Sequence, residues 1–148
     1  MSSEIDPLSD QVFHQVLALL RTSRQYGRLI MDECGLKPVQ LSVLRSLLEK
    51  GPATVSQVQA YVQHSASSTS TMIAQLETAG FVTRTRSADD NRVVIVELTP
   101  SGHDVAEKTP LGGLPLLRRE LAALHEERLA EMEEVLLEIM QLMGDSGR

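Results

Sequence analysis

The segment 54–98 constrains the fold more than any other part of the chain, because its periodicity changes from helical to extended at Gly80. Thr54 and Gln57 have the spacing of a capping box, in which two side chains bond each other's backbone N–H at the start of a helix. This short helix leads into a turn, after which Ser65 can cap a second helix that runs to the glycine. Two short helices joined by a tight turn form a helix-turn-helix.

Extended structure is predicted after the glycine. The stretches 81–86 and 92–98 are rich in Val, Ile and Thr and predict two strands. The polar stretch 87–91 between them predicts a turn. A helix-turn-helix followed directly by such a hairpin is a winged helix, so we expect a mainly α fold with a small β-hairpin.

Longer helices are predicted on both sides of the winged helix. Asp6 is a capping acid and Pro7 follows it, which predicts a helix over 7–34. The next helix begins at Lys37-Pro38 and ends at Gly51-Pro52. Thr99-Pro100 restarts a helix, which the Gly- and Pro-rich stretch 109–115 interrupts. Residues 116–143 are then largely helical, with a fresh start at His125.

The charge of the chain is unevenly distributed. The 148 residues carry a formal net charge of −6. The acid lies at the two ends: residues 1–36 hold three basic and five acidic groups, and residues 103–148 hold five basic and ten acidic groups. The middle, residues 37–102, holds six basic and five acidic groups. Because a local field matters more than net charge in attracting an anionic partner, we expect any such partner to contact the middle.

Apolar stripes on the terminal helices predict a dimer. These stripes are longer than a small winged-helix core can cover, so we expect them to pack against a second copy of the chain. Packing into a monomeric bundle is the alternative. We therefore predict an N-terminal dimerisation helix in 1–36, a winged helix-turn-helix DNA-binding domain in 37–102 and C-terminal dimerisation helices in 103–148.

The second helix of the helix-turn-helix carries small hydroxyl groups on its outer face. Helical spacing turns Ile73 and Leu76 inward, together with Met72 or Thr69. Ser, Thr and Asn side chains are poor helix formers, since they compete for backbone hydrogen bonds. A helix start with short hydroxyls can approach DNA closely, with backbone N–H groups on phosphate and side chains on base edges. The alternative is an ordinary helix with a serine-rich cap.

The predicted hairpin carries three arginines that lie within nine positions of one another: Arg84, Arg86 and Arg92. Long cationic side chains on a protruding ribbon suit phosphates or a narrow minor groove. Asp90 lies two positions before Arg92 and can hold its guanidinium in one orientation. The alternative is a solvated turn whose charges serve solubility.

Three sequence blocks resemble the MarR-type winged-helix transcriptional regulators: 76–84, 90–92 and 98–102. The resemblance implies a dimeric DNA-binding regulator that lays the 65–79 helix in a major groove and the hairpin along the adjacent minor groove, with Arg92 inserted. The candidate DNA-binding residues are Ser65, Ser67, Ser68, Thr71, Gln75, Arg84, Arg86, Asp90 and Arg92. Two departures stand out: members of the family often have a basic residue at Thr71 and an apolar one at Thr69, and the 109–115 break interrupts a helix that many members keep longer.

The resemblance also implies an effector. Such regulators often bind small aromatic or lipophilic anions in a crevice beside the dimer helices. The candidate residues in the first helix are Arg21, Arg24, Tyr26 and Arg28.

Other classes of function are not expected. The serines lack the pattern of a catalytic nucleophile, and no glycine-rich phosphate loop is present, so we expect no enzyme and no cofactor. The four histidines lack metal-ligand spacing. Cys34 is the single cysteine; its acidic neighbours disfavour the thiolate of a redox sensor, so a buried structural role is preferred. The lack of a membrane-spanning run or signal peptide favours a cytoplasmic protein that does not contact membranes.

The function hypothesis is a homodimeric regulator, preferred as a repressor that covers a promoter, which binds a palindromic operator in double-stranded DNA. A dimer presents its two reading helices to half-sites roughly 34–36 Å apart. The alternative is a winged-helix module that binds another protein and not DNA, which the acidic total slightly favours. The operator, the effector and the sign of regulation stay open.

Overall fold

The fold is seen in a computed structural model that describes residues 6–144. Within these residues the chain forms seven α-helices and one small antiparallel sheet. In chain order the elements are α1 (Pro7–Cys34), α2 (Pro38–Lys50), β1 (Ala53–Thr54), α3 (Val55–Val62), α4 (Ala66–Thr78), β2 (Val82–Arg86), β3 (Val94–Leu98), α5 (Pro100–Lys108), α6 (Gly113–Leu121) and α7 (Glu126–Leu142). The predicted fold class, a winged helix-turn-helix between longer helices, is confirmed.

The chain divides into two compact units between Gly113 and Leu114. The first unit holds α1 to α5 and the sheet, and α5 packs against α2 within it. The second unit holds α7 and all but the first residue of α6. The three-part division into DNA-binding and dimerisation segments concerns assembly, so it stays a prediction, and its outermost residues, 1–5 and 145–148, lie outside the described part.

Side-chain caps begin the helices where the sequence predicts them. The Thr54 N–H donates to Gln57 Oε1 at 2.8 Å, and the Gln57 N–H donates to Thr54 Oγ1 at 3.1 Å, which completes the capping box of α3. The Ser65 hydroxyl accepts from the Ser68 N–H at 3.1 Å at the start of α4. Gly80 follows α4 with a φ of +82°, the left-handed conformation that glycine adopts most easily. The predicted boundaries of α1 to α4 are confirmed to within a residue or two.

The wing consists of β2, β3 and the loop 87–93 that joins them. β2 pairs with β3 from Val82 opposite Leu98 to Arg86 opposite Val94, so β3 begins two residues later than predicted. A third strand, β1, pairs antiparallel with the other edge of β3. The predicted hairpin of β2 and β3 is confirmed, and β1 was not predicted, because it has only two residues and a two-residue strand has no detectable period.

The hydrophobic core of the first unit lies between α2, α4 and the sheet. Its most deeply buried side chains are Ile30, Leu41, Val43, Leu44, Thr69, Ile73, Leu76, Val82 and Val96. Both Thr69 and Met72 face the core, where the sequence left a choice between them. Leu48 is only partly buried, although its spacing on α2 predicted burial. The Thr69 hydroxyl is buried without a hydrogen-bond partner in the described part of the chain.

The Gly- and Pro-rich stretch packs on Tyr26 of α1. The Tyr26 hydroxyl donates to the Pro110 carbonyl oxygen at 2.9 Å. The backbone at Gly112 and Gly113 crosses the tyrosine ring so closely that a Cβ at either position would lie 2.7 Å from ring atoms. Burial is the main cause that raises the pKa of Tyr26. The glycines therefore permit a close backbone contact that fixes the end of the first unit.

Large apolar side chains remain exposed on α1 and in the second unit. They include Leu8, Val12, Phe13, Leu17, Leu19 and Leu20 on α1, and Val135, Leu136, Leu137 and Met140 on α7. Within the described residues α7 buries no side chain, and His125 is its N-cap, as predicted. None of the helices in the range 6–144 has the length and apolarity to cross a membrane.

Candidate nucleic-acid interface

The outer face of α4 presents hydroxyl and amide groups to solvent. Ser65, Ser67, Ser68, Thr71 and Gln75 are all exposed, as their spacing predicts. The Ser65 hydroxyl lies 2.9 Å from the Ser68 hydroxyl and 3.3 Å from that of Ser67, so three hydroxyls cluster at the helix start. The partial positive charge of a helix N-terminus favours an anion at this position.

The acidic residue of α4 is neutralised by an arginine of the wing. Arg84 donates to Glu77 Oε1 through Nε at 3.2 Å and Nη2 at 2.9 Å, and its backbone N–H donates to Glu77 Oε2 at 3.1 Å. The hydrogen bonds from Arg84 lower the pKa of Glu77, and the same ion pair raises the pKa of Arg84. Arg84 therefore lies at the base of the wing and ties β2 to α4. The sequence placed it with the arginines of the tip.

The tip of the wing holds the other two arginines. The side chain of Arg92 is 92% exposed, and its Nε lies 3.3 Å from Asp90 Oδ1, the contact that the sequence predicts. The same carboxylate oxygen accepts from the Arg92 backbone N–H at 3.0 Å. Arg86 donates through Nη1 to the Asn91 carbonyl oxygen at 2.8 Å. Asp90 thus holds Arg92 at one end while leaving most of its guanidinium open to solvent.

A groove beside α4 adds residues that the sequence did not single out. It has a volume of about 390 Å³ and lies between α2 and α4. Lys37, Gln40 and His64 line it together with the exposed residues of α4. Gln40 donates through Nε2 to Gln75 Oε1 at 3.3 Å and so joins the two helices. The sequence signal that could have identified Gln40 is its position three residues after Lys37, which is the spacing of a capping box at the start of α2. This signal is easily missed, because lysine is not a capping residue.

The four predicted effector residues differ in their exposure, and their role in binding an effector stays a prediction. Tyr26 is buried and its hydroxyl is bonded to Pro110, while Arg21, Arg24 and Arg28 are exposed on α1. A cavity of about 300 Å³ lies elsewhere, between α2, β1 and α3, and none of these four residues lines it.

The structure also describes the surroundings of the histidines, the acidic residues and Cys34. No group of three or more His, Cys, Asp or Glu side chains lies close enough together in residues 6–144 to hold a metal ion. Cys34 is half-buried, and its Sγ donates to the Ile30 carbonyl oxygen at 3.2 Å within α1. Cys34 is thus less buried than the sequence predicts, and its structural role stays a prediction.

Known proteins of similar sequence and structure are transcriptional regulators or share the fold of this chain. Residues 36–94 match the model of the MarR family. The HTH-type transcriptional repressor MdtR of Bacillus subtilis strain 168 is 29% identical over 111 residues, which cover 75% of this chain and 72% of that protein. The crystal structure of YusO from Bacillus subtilis is similar with a TM-score of 0.60 and 26% identity, covering 94% of this chain and 99% of that one. Overoxidized AbfR bound to DNA shares the fold, with a TM-score of 0.60, 24% identity and coverage of 91% and 94%.

Proposed function

We propose that this chain, whose residues 36–94 match the MarR family model, is a winged-helix transcriptional regulator of that family, which binds a palindromic operator in double-stranded DNA as a homodimer and represses transcription by covering a promoter. Each protomer lays α4 in a major groove and reaches the adjacent minor groove with Arg92.

One observation carries the DNA-binding proposal. The outer face of α4 offers hydrogen-bond donors, the wing tip offers the extended cation of Arg92, and α4 has no unpaired carboxylate. Glu77, the acid of that helix, is paired with Arg84. Phosphates therefore meet hydroxyls, backbone N–H groups and Arg92, and the duplex is not repelled by α4. Because Asp90 already restricts the Arg92 side chain in the free protein, that side chain loses less conformational freedom when it binds DNA.

The uncovered apolar faces support the dimer. Apolar side chains are exposed along α1 and α7, and contiguous patches of this kind mark protein interfaces. A dimer also provides two copies of α4 for the two halves of a palindrome. The repressor role draws on the name of MdtR, and DNA as the partner draws on the DNA-bound structure of AbfR. Release by a small aromatic or lipophilic anion stays a prediction.

DNA binding is tested by selecting duplexes from a random library and measuring affinity for the selected site by fluorescence anisotropy at several salt concentrations. Affinity should fall steeply with salt, since each phosphate contact releases counterions. Arg92→Ala should weaken binding to all sequences and reduce the log–log salt slope by about 1 per protomer. Lys108→Ala removes the same charge from the end of α5, where Lys108 pairs with Asp104, and serves as the control. A wild-type protein that selects no sequence and shows a flat salt response would favour the protein-binding alternative.

The dimer is tested by light scattering after size-exclusion chromatography. The wild type should have about twice the 16.3 kDa mass of the chain. Val135→Glu puts a charge on the exposed apolar face of α7 and should shift the protein toward monomer. Gln141→Glu introduces the same charge at an exposed polar position of α7 and should leave the mass unchanged. A monomeric wild type would contradict the proposal.

A further inference from the structure

We infer that Gln40 positions the side-chain amide of Gln75 so that its N–H donor faces the DNA bases and its carbonyl oxygen faces α2. The inference rests on the DNA-binding function proposed above. It concerns which bases the protein prefers at one position of each half-site.

The orientation of the Gln40 amide follows from the backbone of α2. The Lys37 N–H lies 2.8 Å from one end of that amide, and a backbone N–H can only donate. The Gln40 oxygen must therefore lie at that end, where it caps the start of α2 from the N3 position. Gln40 lines the groove between α2 and α4 but is only 8% exposed, so water has little access to its other end, the Nε2 group.

The orientation of Gln75 follows from that of Gln40. A shielded amide N–H that makes no hydrogen bond is costly, and Gln75 Oε1 lies 3.3 Å from Gln40 Nε2. The reverse orientation of Gln75 would set two NH₂ groups against each other. Its oxygen is therefore held toward α2, and its own Nε2 is the end left for solvent on the outer face of α4. Among residues 6–144 no hydrogen-bond acceptor of the chain is bonded to that Nε2.

A donor facing the major groove selects bases that present acceptors. Guanine offers N7 and O6 and thymine offers O4, whereas cytosine offers only the N4 donor. Adenine presents an N7 acceptor beside its N6 donor and is usually read by a glutamine that uses both its oxygen and its nitrogen. Because Gln40 occupies the oxygen of Gln75, the N6 donor of adenine finds no acceptor there and lies against the Gln75 N–H donor. We therefore expect guanine or thymine, in preference to adenine or cytosine, at the base that Gln75 contacts.

The substitution Gln40→Glu keeps the cap of α2 but removes the N–H donor that positions Gln75. A carboxylate at this position still accepts from the Lys37 N–H and suits a helix N-terminus, but it has no N–H to donate. Gln75 then turns its Nε2 toward the carboxylate and exposes its oxygen. Library selection at pH 8 should show the preference at one position of each half-site moving toward adenine or cytosine, by about fivefold in relative affinity. The salt slope should not change, because no phosphate contact is lost.

Gln57→Glu is the matched control. Gln57 occupies the same capping position at the start of α3, where its Oε1 accepts from the Thr54 N–H at 2.8 Å. The substitution adds the same charge to the winged helix without touching Gln75. It should leave the base preference as in the wild type.

The outcomes distinguish a failure of the proposed DNA binding from a failure of the positioning of Gln75 by Gln40. A wild-type protein that selects no site refutes the proposed function. If the wild type selects a site, Gln75→Ala should lose preference at one position, and Gln40→Glu should change preference at that same position. A wild-type preference in Gln40→Glu, or an effect at a different position, overturns the inference. Gln75→Glu presents only acceptors and leaves α2 intact, so it must shift the preference in the same direction even if Gln40→Glu does not fold.

Discussion

The buried hydroxyl of Thr69 gives a stability prediction with a definite sign. Thr69 is 0% exposed, and its Oγ1 has no hydrogen-bond partner among the described residues. Burying a hydroxyl without a partner costs about 1–3 kcal/mol by mutational measurements. Valine has nearly the same shape, is β-branched like threonine, and replaces the hydroxyl by a methyl that suits the core. Thr69→Val should therefore raise the free energy of unfolding by about 1–2 kcal/mol.

The assay is thermal and urea unfolding at one fixed protein concentration, because the stability of a dimer depends on concentration. For a compact unit of this size, the expected gain raises Tm by roughly 4–8 °C. Thr78→Val, at an exposed position of the same helix, is the control and should change stability by less than about 0.5 kcal/mol. A destabilised Thr69→Val variant would refute the reasoning, because it would mean that the hydroxyl makes a favourable bond in the folded protein.

Further predictions concern the wing and the glycine crossing. Arg84 holds the pKa of Glu77 below its ordinary value of 4.5, so this pair stabilises the fold above about pH 4.5, and its contribution is lost as the pH falls through the lowered pKa. Urea unfolding of Glu77→Gln should therefore differ from the wild type at pH 7 and converge with it in acid; a constant difference would refute this. Gly112→Ala should cost about 1–3 kcal/mol in unfolding free energy, because its Cβ would meet the Tyr26 ring at 2.7 Å. Gly27→Ala, in the interior of α1 with its nearest contact at 3.7 Å, should instead stabilise by about 0.5–1 kcal/mol, and equal effects of the two would contradict the packing argument.

Local signals explain why much of the fold could be predicted from the sequence. Thr54, Ser65 and Gly80 act on their own backbone neighbourhood, so their pattern alone marks where the helices begin and end. Features of this kind are encoded within a few residues.

Features that depend on distant residues could not be predicted in the same way. Arg84 looked like a cation of the wing tip, and only the approach of β2 to the last turn of α4 gives it Glu77 as a partner. Gln40 and Gln75 are 35 positions apart, so neither suggests the other in the sequence. The exposed face of α4 was predicted because helical period fixes it, but the bonds that orient its side chains come from tertiary packing.

The attachment of β1 has a consequence for how the protein can be switched. Thr54 is both the residue that pairs with Ile95 of the wing and the cap of α3, and the Glu77–Arg84 pair joins the wing to α4. The wing is therefore tied to α3 through β1 and to α4 through the Glu77–Arg84 pair, so we expect the wing and the two helices to move together. In the proposed dimer, we therefore expect changes in DNA affinity to come from the distance and angle between two copies of this unit, and not from bending of the wing against α4.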